Sequence, residues 1–498
     1  MQPSGKSTRT TRSTANPPDA RLHGPPSLRN LPTEIKKMIV SIIGVRLERT
    51  PSAPATSETR RTLKSLALMD KVYATLVPPY LFQAIKCTGK HATSSNLIFF
   101  HDNVLPRFQP NITSLLFHRG TADRPTSDIR EAAARITGTS HEECDGEEIF
   151  SSLLANLISK IPNLDTVAFD FHPSQPRDRV QCYEGNHWSS TDTAEQIRAK
   201  RTPKPRAGSN KDFVLAALQA KSAQITSLDI NLDSCPQSSY GALATFLIRF
   251  RQLRSLRLAD PVETRRHDGN REERDDIGRG RLFRAIASFG FLESLSLVHL
   301  SELMDDSLCT HVVWPGWTNL PLKSLTIIEA DGLGLETLIE FTNSFSKTLK
   351  SLTLSQCPRA PEESYRGFGS SSQDSEIDDE SALDVARFDL PELEGLTLGR
   401  QFLSSEDLFP LFEDLTMEHI TIGARRQYRT KEYYDFAEEH EETLKCMTIR
   451  VEKNWGDEQA LQLQEDLQDD FGVRCDLSWR REMDELDDFH WPVDPVFA

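Results

Sequence analysis

Eight cysteines and thirteen histidines are the side chains of this 498-residue chain with most scope for nucleophilic or metal chemistry. The cysteines stand far apart, at 87, 144, 182, 235, 309, 357, 446 and 475, with no C-x-x-C and no paired Cys/His spacing. A zinc knuckle needs clustered ligands and a disulfide framework needs close-set pairs, so neither is indicated, and a reducing compartment suits this usage. Cys357 is the most tempting nucleophile, because a cysteine near a turn is activated when a base lies beside it. Two histidines precede tryptophan, in His187-Trp188 and His490-Trp491, and both pairs sit in polar, loop-like context that does not favour catalysis. No H-E-x-x-H, G-x-S-x-G or G-x-x-x-x-G-K-[ST] occurs, and Gly332-Leu-Gly-Leu-Glu336 lacks the third glycine of a dinucleotide fingerprint, so it reads as a turn. These residue types call for no catalytic centre, no metal and no cofactor.

The elements around Cys357 explain it better than chemistry does. It ends the phrase Leu349-Lys-Ser-Leu-Thr-Leu-Ser-Gln-Cys357, an L-x-x-L-x-L-x-x-C pattern. Its first six residues return at Leu253–Leu258, Leu292–Leu297, Leu322–Ile327 and Leu393–Leu398, and looser copies begin at Ile112, Leu164, Ile225, Met417 and Leu444. Successive copies lie as close as 24, 27 and 28 residues apart (393 to 417, 322 to 349, 225 to 253), near the period of a leucine-rich repeat. Cys357 falls on the N/C site of that consensus, where a small polar side chain satisfies backbone groups at the bend after the strand.

Helical stripes precede the strands: Ile149 to Ile161 before Leu164, Gly241 to Phe250 before Leu253, Arg281 to Phe289 before Leu292 and Leu335 to Phe345 before Leu349. The expected fold is therefore α/β: a leucine-rich-repeat solenoid over 87–480, with a curved parallel sheet and helices on the outer face, preceded by a small all-α unit. Each repeat leaves an apolar face that only the next one covers, and every buried leucine contributes about 1.5 to 3 kcal/mol. Longer gaps between copies mark insertions near 119–148, 172–211, 261–280 and 358–388, all polar, charged or rich in Pro and Gly and expected to be disordered. The last of these holds eight acids and one Arg between Pro361 and Asp384, with Ser372 and Ser375 just upstream of acidic residues. Gln459 to Phe471 is expected as a last helix and Val473 to Trp479 as a last strand.

The overall charge is −16, from 74 acidic and 58 basic residues, which disfavours nucleic acid and anionic membrane surfaces as partners. No apolar run approaches the roughly 20 residues that span a bilayer, and the N-terminus lacks the apolar core of a secretory signal, so a cytoplasmic or nuclear location is expected. Residues 1–27 are polar and expected to be a disordered tail, and 481–498 an acidic one.

From Leu28 the texture becomes helical. Leu31, Ile35, Met38, Ile39, Ile42 and Ile43 fall at helical spacing behind Pro32 and Glu34, 48–61 reads as a loop, and Leu66, Met69, Tyr73 and Leu76 step along a second helix that Pro78-Pro79 stops. Tyr80 to Lys86 reads as a short strand or a turn of helix. The series Leu31-Pro32-x-Glu34-Ile35-x-x-x-Ile39-Val40, Leu66-Ala-Leu68-x-x-Lys71-x-Tyr73-x-x-Leu76 and Leu81-Phe82-x-x-Ile85 resembles an F-box, of the kind that opens many fungal leucine-rich proteins. That resemblance covers 28–86. It implies a non-catalytic, substrate-recognition subunit of a cullin-RING ubiquitin ligase, whose F-box docks on a Skp-type adaptor and whose repeats hold a target protein. Leu31, Pro32, Ile35, Ile39, Leu66, Leu76 and Leu81 would then form or support the adaptor contact. Two alternatives stay open: a leucine-rich scaffold with no ligase role, whose N-terminal helices merely cap the repeats, and an enzyme whose site is assembled across the insertions.

What the repeats offer a partner is the outward side of the strands. The fifth position of each phrase is Leu116, Ala168, Asp229, Arg257, Ser296, Thr326, Thr353, Thr397, Thr421 and Thr448. Asp229, Arg257, Ser296, Thr326, Thr353 and Thr397 are the candidate target-binding face, in which small hydroxyls admit a protein surface closely and the two charges offer selectivity. Strand propensity alone also favours Ser and Thr there. Trp314 and Trp317, beside Pro-Gly, are read as packing over the solenoid edge rather than as an exposed platform.

Overall fold

The computed structural model describes residues 28–48, 55–87, 92–117, 125–142, 144–170, 212–232, 240–260, 276–300, 317–330, 333–355, 387–399, 409–412, 415–423, 430–451 and 457–479. The tails at 1–27 and 481–498, the insertion expected at 172–211, His187, His490, Trp314, Cys357, Ser372 and Ser375 all lie outside these residues. The chain divides into two compact units between Phe82 and Gln83.

The first unit holds a short 3-10 turn, Leu28–Asn30, and four helices: α1 (Thr33–Glu48), α2 (Ala55–Ala67), α3 (Lys71–Leu76) and α4 (Pro78–Leu81). The single helix expected through Leu66 and Leu76 is two. Asp70 breaks it, because its carboxylate accepts the backbone N–H groups of Val72 and Tyr73 at 2.8 and 3.0 Å and so caps α3. Residues 55–61, expected in a loop, are the first half of α2, which is anchored by Leu63 and Leu66 further along the same helix. The core is Val40, Leu63, Leu66, Tyr73 and Val77, with Ile39, Ile43, Met69, Leu76, Tyr80 and Leu81 packed against it.

The second unit is built on one twelve-stranded sheet whose strands lie side by side in chain order, every neighbour parallel. They are β1 (Ala84–Cys87), β2 (Ser114–Phe117), β3 (Thr166–Asp170), β4 (Ser227–Asn231), β5 (Ser255–Ala259), β6 (Ser294–Val298), β7 (Ser324–Ile328), β8 (Ser351–Ser355), β9 (Gly395–Leu398), β10 (His419–Gly423), β11 (Cys446–Val451) and β12 (Arg474–Trp479). The repeat phrase sets the register. Leu352 lies between Leu325 and Leu396 and Leu354 between Ile327 and Leu398, all of them buried, so the fourth and sixth positions form two continuous apolar rows. This is the solenoid that the ten phrases imply, with a degenerate rung at each end. Phe82-Gln-Ala-Ile-Lys-Cys87 carries β1, so the sheet starts before the boundary expected at residue 86, and Gly472-Val-Arg-Cys-Asp-Leu477 carries β12.

Helices cover the apolar rows. The second unit contains α5 (Ser94–Phe99), a π turn (Phe100–Val104), α6 (Leu105–Phe108), α7 (Ser127–Thr137), α8 (Gly146–Lys160), α9 (Asp212–Ala220), α10 (Tyr240–Leu247), α11 (Asp276–Ala287), α12 (Leu335–Asn343), α13 (Thr430–Glu439) and α14 (Asp457–Phe471). Phe169 of β3 stacks on Phe117 of β2 and meets Phe246 of α10 edge-on at 5.8 Å between ring centres, which places helix against sheet. Trp317, expected to pack over the solenoid edge, is fully buried among Phe283, Phe341 and Phe345.

Three expected insertions differ from what forms. Residues 127–137 are helical, capped by the Thr126 hydroxyl at one end and by Gly138, with φ of 75°, at the other. Asp276 opens α11 inside the stretch expected to end at residue 280, and Phe388, assigned to the insertion at 358–388, is a buried core residue stacked on Phe412. Among the described residues no helix is long and apolar enough to cross a membrane.

Candidate functional site

The site of the first unit is the outer side of α1. Pro32 and Glu34 suit the first turn of a helix, and the run that follows is apolar on more than one face. Val40 is fully buried and Ile39 and Ile43 pack beside it, which fixes which way α1 faces. Ile35, Met38 and Ile42, at i, i+3 and i+7, then share the opposite face and are 37, 52 and 57 % exposed. A contiguous apolar stripe on a small unit has no stabilising role while water covers it, and such stripes mark interaction surfaces. Beside it an open cleft of about 440 Å³ is lined by Met38, Val40, Ser41, Leu76 and Tyr80.

The stripe is held in place by polar and steric contacts. The Lys36 ammonium, buried at the base of α1, donates to Asp70 at 2.5 Å and to the Arg29 carbonyl at 2.8 Å, and sits 5.3 Å from the centre of the Tyr73 ring. The hydrogen bond from Lys36, and then that from the Tyr73 N–H, holds the Asp70 carboxyl below its ordinary range. One carboxylate therefore caps α3 and ties it to α1. Gly44 lets α1 pass close to Tyr80, since a methyl group there would lie 2.1 Å from the ring.

The residues expected to contact an adaptor separate into layers. Pro32 and Ile35 are exposed, Leu31, Ile39, Leu76 and Leu81 are half-buried, and Leu66 is in the core, where it supports α1 without reaching the surface. Met38 and Ile42 were not assigned to the contact by sequence. The signal, i+3 and i+7 from Ile35, was legible, but the apolar residues of α1 occupy both faces and periodicity alone does not say which face is covered.

On the sheet, Asp229, Arg257, Ser296, Thr326, Thr353 and Thr397 form one continuous row across β4 to β9. The row runs on through Thr421 and Thr448 to Asp476. A second outward row, Ser227, Ser255, Ser294, Ser324 and Ser351, lies beside it. At the other end the row is not an exposed face: Leu116 is buried, as is its neighbour Lys86. Asp229 and Arg257 pair at 2.9 Å with only about one fifth of each side chain exposed, so they present a paired dipole and not two separate charges. From β6 to β11 the surface is a strip of small hydroxyls, edged by surface ion pairs such as Lys323 with Glu293 and Lys445 with Glu418. His299 and Glu329, which follow β6 and β7, both adopt left-handed backbone with φ of 56° and 53° and pair their side chains over the buried cluster of Ala259, Val298 and Ile328.

On the sheet face the Cys446 thiol donates to the Asp476 carboxylate at 3.9 Å, and burial and then that negative charge push it up from its ordinary value, so it is held protonated and not activated. Burial pushes the Cys87 and Cys475 thiols up to about 12, and no group of three His, Cys, Asp or Glu among the described residues is placed to hold a metal ion.

No family model and no curated protein matches the chain. Among solved structures it is similar to the crystal structure of the Rad7 and Elc1 complex in yeast, with a TM-score of 0.36 and 15 % identity, over 84 % of this chain and 88 % of that one.

Proposed function

We propose that this chain is a substrate-recognition subunit of a cullin-RING ubiquitin ligase. On this reading the first unit is an F-box that docks on a Skp-type adaptor, and through it on a cullin, while the sheet of the second unit holds a target protein. The observation that carries the reading is the exposed stripe Ile35, Met38 and Ile42, on a helical unit that clusters apart from the repeat sheet. Each of the three has apolar surface left to bury, and covering it contributes on the order of 1 kcal/mol per residue to docking. The hydroxyl strip from Ser296 to Thr448 supports the second half, because small side chains let a partner surface approach the sheet closely and supply donors and acceptors along it. The chain then contributes no reacting group. It acts by proximity, presenting the target to a ubiquitin-charged enzyme carried elsewhere in the assembly.

Affinity capture from cell extract with the full chain tests this. The wild type is expected to recover a Skp-type adaptor and a cullin, and Ile35→Glu with Ile42→Glu to lose both. If neither protein is recovered by the wild type, the ligase reading fails and the chain is a repeat scaffold only.

A further inference from the structure

The residues that lead into each strand form one edge of the sheet, a surface that neither half of the proposed docking uses. The second residue of each repeat phrase fixes this edge, because its backbone N–H binds the carbonyl of the second residue one repeat earlier. Glu293 donates to Arg254 at 2.8 Å, Lys323 to Glu293 at 2.8 Å, Lys350 to Lys323 at 2.9 Å and Glu394 to Lys350 at 2.8 Å. The same bond runs on through Glu418 and Lys445 to Arg474. Charged residues are thereby lined up along the edge at the spacing of the strands, about 4.8 Å.

The two signs are segregated along it. The residues leading into β5 to β8, at 248–254, 288–293, 317–323 and 344–350, hold Arg249, Arg251, Arg254, Lys323, Lys347 and Lys350 against one acid, Glu293. Those leading into β9 to β11, at 387–394, 415–418 and 440–445, hold Asp389, Glu392, Glu394, Glu418, Glu441 and Glu442 against Arg387 and Lys445. Ion pairs of Lys323 with Glu293 at 3.1 Å, Lys445 with Glu418 at 2.5 Å and Lys350 with Glu394 neutralise part of this charge. A surplus is left on each half. Arg249, Arg251 and Lys347 on one side, and Asp389, Glu392, Glu441 and Glu442 on the other, are exposed and make no ion pair among the described residues. Ile248 and Phe291, in the basic half, are 55 and 52 % exposed, so apolar surface lies beside the charge.

A polyanion would suit the basic half but be repelled by the acidic half next to it. What matches both at once is a surface with the same two halves in reverse order, and this chain itself carries one. We propose that this edge pairs with the same edge of a second copy about a twofold axis through β8. The rotation sets the turn before β5 against the turn before β11 of the second copy, each three strands from the axis, so Arg249 and Arg251 meet Glu441 and Glu442 twice. Ile248 and Phe291 are covered in the same contact. Six strand spacings span about 29 Å, and a helix layer on a sheet is about 20 Å deep, which gives about 600 Å² per copy, the low end for a specific interface. A reversible, salt-sensitive dimer is the result. The contact uses neither the α1 stripe nor the hydroxyl strip, so its failure would leave the docking reading untouched.

Sedimentation equilibrium of the full chain tests the pairing. At low salt the wild type is expected at twice the chain mass, and raising salt from about 50 mM to about 500 mM should weaken the dimer at least about tenfold, because its charges are exposed. Arg249→Glu with Arg251→Glu, and separately Glu441→Lys with Glu442→Lys, are each expected to be monomeric where the wild type pairs, since like charges then face one another. Mixed in equal amounts, the two variants should recover a dimer, because each supplies the sign that the other has lost. Misfolding cannot produce that recovery. Ile35→Glu with Ile42→Glu is expected to pair like the wild type, which separates this contact from the α1 stripe. The proposal is overturned if the wild type is monomeric, if its dimer is indifferent to salt, or if either charge-reversed variant pairs like the wild type. It is equally overturned if the mixture of folded variants stays monomeric or if the Ile35/Ile42 variant loses the dimer.

Discussion

Replacing Gly44 with alanine probes the contact that aims α1. A methyl group at that position would lie 2.1 Å from Tyr80 Cδ1, 2.6 Å from Cε1 and 2.8 Å from Cγ. Carbon atoms rest about 3.5 to 4 Å apart, so ring or helix must move by more than about 1 Å. Overpacking of this kind costs about 1 to 3 kcal/mol, against which alanine's better helix propensity returns about 1 kcal/mol. The expected net loss is about 0 to 2 kcal/mol. Gly241, near the start of α10, is the control: a methyl there meets nothing within 4 Å, so Gly241→Ala is expected to stabilise its helix by up to about 1 kcal/mol. Because the chain has two units, hydrogen exchange followed by mass spectrometry is the assay of choice, since it reads each helix separately. Protection of α1 amides should fall by up to about thirtyfold in Gly44→Ala, while α10 in Gly241→Ala gains up to about fivefold. In a Tyr80→Ala background the loss at Gly44 should turn into a gain. Increased α1 protection in Gly44→Ala with Tyr80 in place would refute the close approach of α1 and α4.

Further expectations follow from the same geometry. Asp70 is depressed by Lys36, so its stabilising contribution is fully present above its ordinary value of 3.8 and is lost as pH falls through the lower folded value. The stability gap between wild type and Asp70→Asn, followed by α1 exchange, should therefore be constant above about pH 5 and close in more acid solution. Leu352→Ala opens a cavity in a rung that is fully buried and should cost about 2 to 5 kcal/mol in urea unfolding, whereas Thr353→Ala, one residue on and facing outward, should stay within about 0.5 kcal/mol. A double-mutant cycle on Asp229→Ala and Arg257→Ala should give a coupling of about 0.5 to 2 kcal/mol, because the pair is mostly shielded from water. A coupling of zero would mean that the two charges act separately on the sheet face.

The sheet was the most legible part of the chain, for a physical reason. A strand has a period of two, and Leu-x-x-Leu-x-Leu repeated ten times leaves one register in which every apolar side chain is covered. The last strand, expected over Val473 to Trp479, forms as β12, whereas β1 was harder to read because Phe82, Ile85 and Cys87 stand where leucines carry the pattern. Polarity alone places residues 127–137 in an insertion, although Ile129-Arg-Glu-Ala-Ala-Ala-Arg-Ile136 is rich in strong helix formers between a Thr cap and a Gly stop. The break at Asp70 is a capping event one residue long, invisible to a stripe of Leu66, Met69, Tyr73 and Leu76 that keeps helical spacing across it. The stripe on α1 was legible as residues but not as a surface. Which face is covered depends on Leu63, Tyr73 and Val77 arriving from other helices.

The central claim is that the exposed face of α1 docks the chain on an adaptor, and direct titration of the purified full chain with a purified Skp-type adaptor tests it. A saturable complex is predicted, weakened more than about a hundredfold by Ile35→Glu with Ile42→Glu and unaffected by Thr353→Ala on the sheet. Unchanged affinity in the folded Ile35/Ile42 variant, or no complex with the wild type, would contradict the account.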